Sequence, residues 1–185
     1  KGKCVLFSLP GVPLEMKYLF GKYVAPEMAR DNKKVFLHRL IKTTGLSEAD
    51  LWVKVGPLEA LQKKAAIASL PSHLGVRIRI SAVADFKQEG ESRLDEVQSF
   101  LTQRLSHYIY GMNDETIEMR VGDLLREKSL TLATAESCTG GLIGHLLTQV
   151  PGSSDYYKEG YVVYSNEAKV NRLGVEPELI EEFGA

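Results

Sequence analysis

A chain of 185 residues can hold one or two ordinary domains. Its hydrophobic fraction of 44% and charged fraction of 25% are those of a globular protein and exclude a disordered or fibrous one. A net charge of −1 gives no general pull towards nucleic acid or anionic membrane, and no apolar run approaches the roughly 18–20 residues that span a bilayer. Cys4 and Cys138 have neither metal nor disulfide spacing, and Lys1 to Phe7 lack a secretory pattern, so a reducing, cytoplasmic setting is expected.

In chain order, Lys3 to Leu9 is an apolar run suited to a buried strand, stopped by Pro10-Gly11-Val12-Pro13. Leu14 to Phe20 then has helical spacing, and Asp31-Asn32-Lys33-Lys34 is a polar linker. A strand is predicted from Val35 to Leu40. Ser47-Glu48-Ala49-Asp50 resembles a capping box before Leu51, Val55, Leu58 and Leu61, whose helix must break or kink at Gly56-Pro57. Val76, Ile78 and Ile80 alternate with Arg77, Arg79 and Ser81, the pattern of a strand with one solvated face. Leu94, Val97, Leu101, Leu105 and Tyr108 form the stripe of a second helix.

Met112 to Thr116 reads as a boundary turn, and Ile117, Val121, Leu124 and Leu125 as one face of a helix capped by Asp114. Leu130 to Thr134 alternates as a short strand. Ser137-Cys138-Thr139-Gly140-Gly141 leads from it into Leu142, Ile143, Leu146 and Leu147, which are spaced as a helix. Such a junction can offer backbone N–H groups at a helix start to a ligand, with glycines allowing close approach. It can equally be a plain turn in which Ser137 or Thr139 caps the helix. Pro151-Gly152-Ser153-Ser154 is a turn, Gly160 to Tyr164 a strand, Ser165 to Leu173 a helix, and Pro177 opens another.

Three of these stretches carry a resemblance. Ala135-Glu136-Ser137-Cys138-Thr139-Gly140-Gly141, then Val150-Pro151-Gly152-Ser153-Ser154, then Tyr164-Ser165-Asn166-Glu167-Ala168-Lys169 resemble, in that order, the C-terminal domain of the competence/damage-inducible CinA family. The likeness runs from about Thr116 to the end of the chain. In that family the domain is an amidase that converts nicotinamide mononucleotide to nicotinic acid mononucleotide and ammonia. The resemblance implies that reaction on a small-molecule nucleotide, with no cofactor for it and a homo-oligomeric enzyme.

Leu9-Pro10-Gly11-Val12-Pro13-Leu14-Glu15-Met16 resembles a signature near the end of the same family's N-terminal domain. That domain is similar to molybdopterin-binding proteins and is associated with an ADP-ribose pyrophosphatase, for which alone a divalent metal is implied. The strand–helix–strand–helix order between is similar to the family's KH-like middle domain. The expected organisation is α/β: residues 1–31 the end of the molybdopterin-binding-like domain, 32–112 a small α+β KH-like domain, and 113–185 the first part of the amidase domain. Continuation of that last domain beyond Ala185 should leave strand edges and apolar faces uncovered.

A KH domain clamps nucleotide backbone with a Gly-x-x-Gly loop, and none occurs between Lys33 and Tyr110. Nucleic acid is therefore not the expected partner, although a competence or DNA-damage binding module is the alternative function that the resemblance leaves. Amide hydrolysis needs a nucleophile, a base and donors for the oxyanion. The resemblance points to Ser154 as nucleophile and Lys169 as its base, with Tyr164 and Asn166 supporting proton transfer or orienting substrate. Ser137, Thr139, Gly140 and Gly141 are the expected substrate-binding loop, with Ser137 the alternative nucleophile. His38, His73 and His107 lie in unrelated contexts, and no metal ligands are assigned.

Overall fold

The structure is a computed structural model that describes residues 4–30 and 34–184. Helix α1 (Pro13–Leu19) passes through a π-helical turn (Phe20–Val24) into α2 (Ala25–Arg30), followed by strand β1 (Val35–Thr43). Helices α3 (Glu48–Val55) and α4 (Glu59–Gln62), strands β2 (Ala66–Ser72) and β3 (Gly75–Ala84), helix α5 (Lys87–Leu105) and strand β4 (Ile109–Met112) come next. Helix α6 (Ile117–Glu127), strand β5 (Leu132–Glu136), helix α7 (Leu142–Thr148), a 3₁₀ turn (Ser153–Asp155), strand β6 (Tyr157–Val162), and helices α8 (Asn166–Leu173) and α9 (Pro177–Phe183) complete the α/β chain. One sheet has four strands in the order β2-β3-β1-β4, and a second pairs β5 with β6. No helix among the described residues is long and apolar enough to cross a membrane.

Two compact units result. One takes in the described part of residues 1–40 with 48–71 and 77–106, and the other takes in 41–47, 72–76 and 107–184. In the first, β3 alternates as its sequence predicts, with Ile78, Ile80, Ala82 and Ala84 buried between exposed Arg77, Arg79 and Val83. Leu51 and Val55 of α3 and the stripe Leu94, Val97, Leu101 and Leu105 of α5 are buried as well, and the two helices touch. Gly56, at a left-handed φ of 76°, ends α3 where the Gly-Pro pair requires a break. Arg39 ties β1 to α5 through Glu91 at 2.6 Å, Asp95 at 2.7 Å and Gln98 at 2.8 Å. The bond to Glu91 holds its guanidinium above its ordinary range, against the opposing effect of burial.

In the second unit, the end of β1 pairs antiparallel with β4, matching Ile41 with Met112 and Thr43 with Ile109. The buried Thr43 hydroxyl donates to the Val76 carbonyl at 2.7 Å. β5 and β6 run parallel, which requires the crossover that α7 supplies. Tyr156, 1% exposed, sits beneath them with Leu147, Val150 and Val163. Leu142 and Ile143 of α7 and Tyr161 and Val162 of β6 lie at the surface.

Several expectations are corrected. The described residues Cys4 to Pro10 form no strand, and Val5 and Leu6 are exposed; Lys3 and the linker residues Asp31, Asn32 and Lys33 lie outside the described set. An apolar run becomes a strand only when a neighbour takes its backbone hydrogen bonds, and among the described residues none pairs with this one. β2 and β4 are strands that the periodicity did not reveal, because neither alternates cleanly between buried and exposed positions. Helix α6 is capped by Thr116, whose side chain accepts from the Met119 N–H at 3.4 Å, and not by Asp114.

Candidate active site

The parallel register sets Leu132 opposite Tyr157 and Glu136 opposite Val162. The segments that leave the two strands, residues 137–141 and 163–166, therefore emerge from one carboxyl edge. The Val163 N–H extends the pairing by donating to the Glu136 carbonyl at 2.8 Å. A Cβ added to Gly141 would come within 3.2 Å of Val162 Cγ2, so the loop closes directly over the end of β6. The carboxyl edge of parallel strands is where α/β proteins commonly bind ligands, because loops and helix starts converge there.

Gly140 and Gly141 both adopt left-handed φ, 61° and 94°, which turns the chain into α7 at no side-chain cost. Neither Ser137 nor Thr139 caps that helix. Glu136 does so from the end of β5, its Oε2 accepting the Ile143 N–H and its Oε1 the Gly144 N–H, each at 2.8 Å. Glu136 as a whole is 4% exposed. Burial pushes its pKa up, but the Gly144 and Ile143 N–H groups, with the hydroxyls of Thr139 and Thr134, outweigh that and hold it below the usual carboxylate range. Two N–H groups at the start of α7 are thereby taken by the protein's own anion. Sequence reasoning gave Glu136 no role; the available signal was an acid one residue ahead of a small-residue turn into a helix.

Ser137 and Gly141 are half-buried at this edge, and Thr139, Gly140 and Cys138 are exposed. Facing the same end of the sheet, Tyr164 is 74% exposed. Ser165 caps α8 by accepting the Ala168 N–H at 3.1 Å. One turn along that helix, half-buried Lys169 donates from Nζ to Asn166 Oδ1 at 3.3 Å.

Ser154 lies elsewhere. It is exposed in the 3₁₀ turn that precedes β6, and its carbonyl accepts from Lys158 Nζ at 3.3 Å. Arg126 pins this turn by donating to the Pro151 carbonyl at 2.9 Å and pairing with Asp155 at 3.5 Å. Strand β6 separates it from Lys169; six extended residues cover about 20 Å at roughly 3.3 Å each. Among the described residues no hydrogen bond joins Ser154 to Lys169. Ser154 stands before β6 and Lys169 after it, at opposite ends of the strand. Of the two candidate serines, Ser137 is the one on the Lys169 side. Among the described residues no group of three or more His, Cys, Asp or Glu side chains is placed to hold a metal ion.

Comparison with known proteins identifies the family. Residues 38–111 match the family model of the damage-inducible protein CinA KH domain, and residues 114–185 that of the CinA C-terminal domain. The chain belongs to the CinA family. A CinA-like protein of Chloroherpeton thalassium is 39% identical across 100% of this chain and 44% of its own length. A second CinA-like protein, from Salinibacter ruber, is 44% identical across 98% of the chain and 44% of its own, and a putative competence-damage inducible protein of Clostridium beijerinckii is 38% identical over the same shares. The chain thus spans less than half the length of these CinA relatives. Among solved structures, the competence/damage inducible protein CihA from Agrobacterium tumefaciens is 43% identical over 37% of this chain and 42% of its own, with a TM-score of 0.37.

Proposed function

We propose that this CinA chain carries the reactive part of an amidohydrolase that converts nicotinamide mononucleotide to nicotinic acid mononucleotide and ammonia, with Ser137 as nucleophile and Lys169 as its base. The observation that carries the reading is the parallel β5–β6 register, which brings the Ser137–Gly141 loop and the Tyr164–Lys169 segment to one edge. In the proposed reaction, Lys169 takes the Ser137 hydroxyl proton as Oγ attacks the amide carbon. The tetrahedral intermediate then expels ammonia, which takes the proton back from the lysine. Water activated by the same lysine releases the acid from the acyl-serine. Asn166 Oδ1 orients the ammonium, the exposed Tyr164 hydroxyl supports proton transfer, and Thr139, Gly140 and Gly141 shape the substrate side of the loop.

The test is ammonia release from nicotinamide mononucleotide by Ser137→Ala, Lys169→Ala, their double variant and Ser154→Ala. Each of the first two should lower kcat by about 10³-fold or more, with the double scarcely worse, because groups acting as one unit are non-additive. Ser154→Ala should stay within about threefold of the parent, as expected of a group outside such a unit. Loss of kcat in Ser154→Ala with retention in Ser137→Ala would return the nucleophile to Ser154.

A further inference from the structure

Among the described residues, Glu136 is the only charged side chain that is buried. An ionised carboxylate is retained in such a place only when hydrogen bonds replace its water. Here the Ile143 and Gly144 N–H groups take one oxygen each, and the Thr134 hydroxyl stands 3.5 Å from Oε1. The same residue's carbonyl holds the Val163 N–H at 2.8 Å. Glu136 thus joins three elements: its own strand β5, the start of α7, and the chain just before Tyr164 and Lys169. An ordinary helix cap lies next to its helix. Glu136 instead reaches forward from a strand across the whole Ser137–Gly141 loop, seven residues to Ile143 and eight to Gly144.

We propose that Glu136 is a positioning residue: its carboxylate clamps the amino end of α7, holding Ser137 in a fixed loop beside the Lys169 segment and keeping the substrate's phosphate out of that helix end. This inference rests on the proposed pairing of Ser137 with Lys169. Its local geometry supports the clamp independently. Within the loop the Gly140 N–H donates to the Ser137 carbonyl at 3.0 Å and the Leu142 N–H to the Thr139 carbonyl at 3.1 Å. The loop is therefore closed on itself as well as clamped at both ends. Gly144 completes the fit, because a Cβ there would stand 3.5 Å from Glu136 Oε1 and 2.6 Å from the Tyr157 hydroxyl.

Glu136→Gln keeps the shape but turns an amide N–H₂ towards one of the two N–H donors, so one arm of the clamp is lost. In the full chain, kcat for ammonia release should fall by about tenfold or more while KM moves by less than about threefold, the split expected when only transition-state alignment is lost. Amide hydrogen exchange at Ile143 and Gly144 should accelerate. Leu101→Ala, a core change in the other unit, should keep kcat even where its melting temperature falls further. Inorganic phosphate should leave the Ile143 and Gly144 amide resonances of the unsubstituted protein unmoved. Unchanged kcat in Glu136→Gln, or a rise in KM alone, overturns the positioning role, and phosphate-dependent shifts at the two amides overturn the exclusion. If the unsubstituted protein releases no ammonia, the amidase reading and the catalytic use of the clamp fall together. Exchange at the two amides still decides the clamp itself, which unaltered exchange in Glu136→Gln would overturn.

Discussion

Gly144→Ala offers a test of how tightly the layer beneath the loop is packed. In an α-helix interior the change ordinarily gains about 1 kcal/mol. Here the new Cβ would lie 2.6 Å from the Tyr157 hydroxyl and 3.4 Å from its Cζ, distances that force the ring to shift. The Tyr157 hydroxyl is held 2.9 Å from Thr134 Oγ1, so the shift weakens that bond. Overpacking of this kind costs about 1–3 kcal/mol and a neutral hydrogen bond about 1 kcal/mol. The single variant should therefore lose about 1–3 kcal/mol in spite of its helix propensity. Tyr157→Phe alone should lose about 1 kcal/mol, because Thr134 keeps Glu136 as a neighbour. Combined, the two changes remove the clashing atom and leave contacts of 3.4 Å to the ring and 3.5 Å to Glu136 Oε1, both ordinary. The double variant should then be near the parent in stability, a coupling of about 2–4 kcal/mol in urea-unfolding midpoints at constant slope. Additivity within about 0.5 kcal/mol would show that the hydroxyl is not in that gap, and the packing argument fails.

The acid dependence of stability should carry a contribution from Glu136. Its native pKa is lowered from the ordinary 4.5, so the contribution is complete above that value and is lost as pH falls towards the native one. The gap in urea midpoint between the parent and Glu136→Gln should accordingly shrink with acidification, and a gap constant with pH refutes the assignment. In the loop, Gly140→Ala meets open space and pays only for its left-handed φ of 61°, whereas Gly141→Ala adds the 3.2 Å approach to Val162. Thermal melts should rank Gly141→Ala below Gly140→Ala, each losing on the order of 1–3 kcal/mol; the reverse order would place the close approach elsewhere.

The local chemistry of this chain is legible in its residues. The stripe Leu94, Val97, Leu101 and Leu105, the alternation through Ile78 and Ile80, the break at Gly56-Pro57 and the cap at Ser165 each follow from side-chain period or backbone allowance within one turn of chain. The loop Ser137 to Gly141 is likewise readable as a strand-to-helix junction of small residues. Which serine stands with Lys169 is not readable, because it depends on the direction of β6 relative to β5. That direction is fixed by pairing between residues 25 and 26 positions apart, such as Leu132 beside Tyr157 and Glu136 beside Val162. Period and propensity act over a few residues and are blind to it. Glu136 escaped for the same reason: an acid before a turn looks solvated until the fold brings the Ile143 and Gly144 N–H groups to its two oxygens. The residue types at the edge belong to the sequence, and their company belongs to the parallel pairing of two strands.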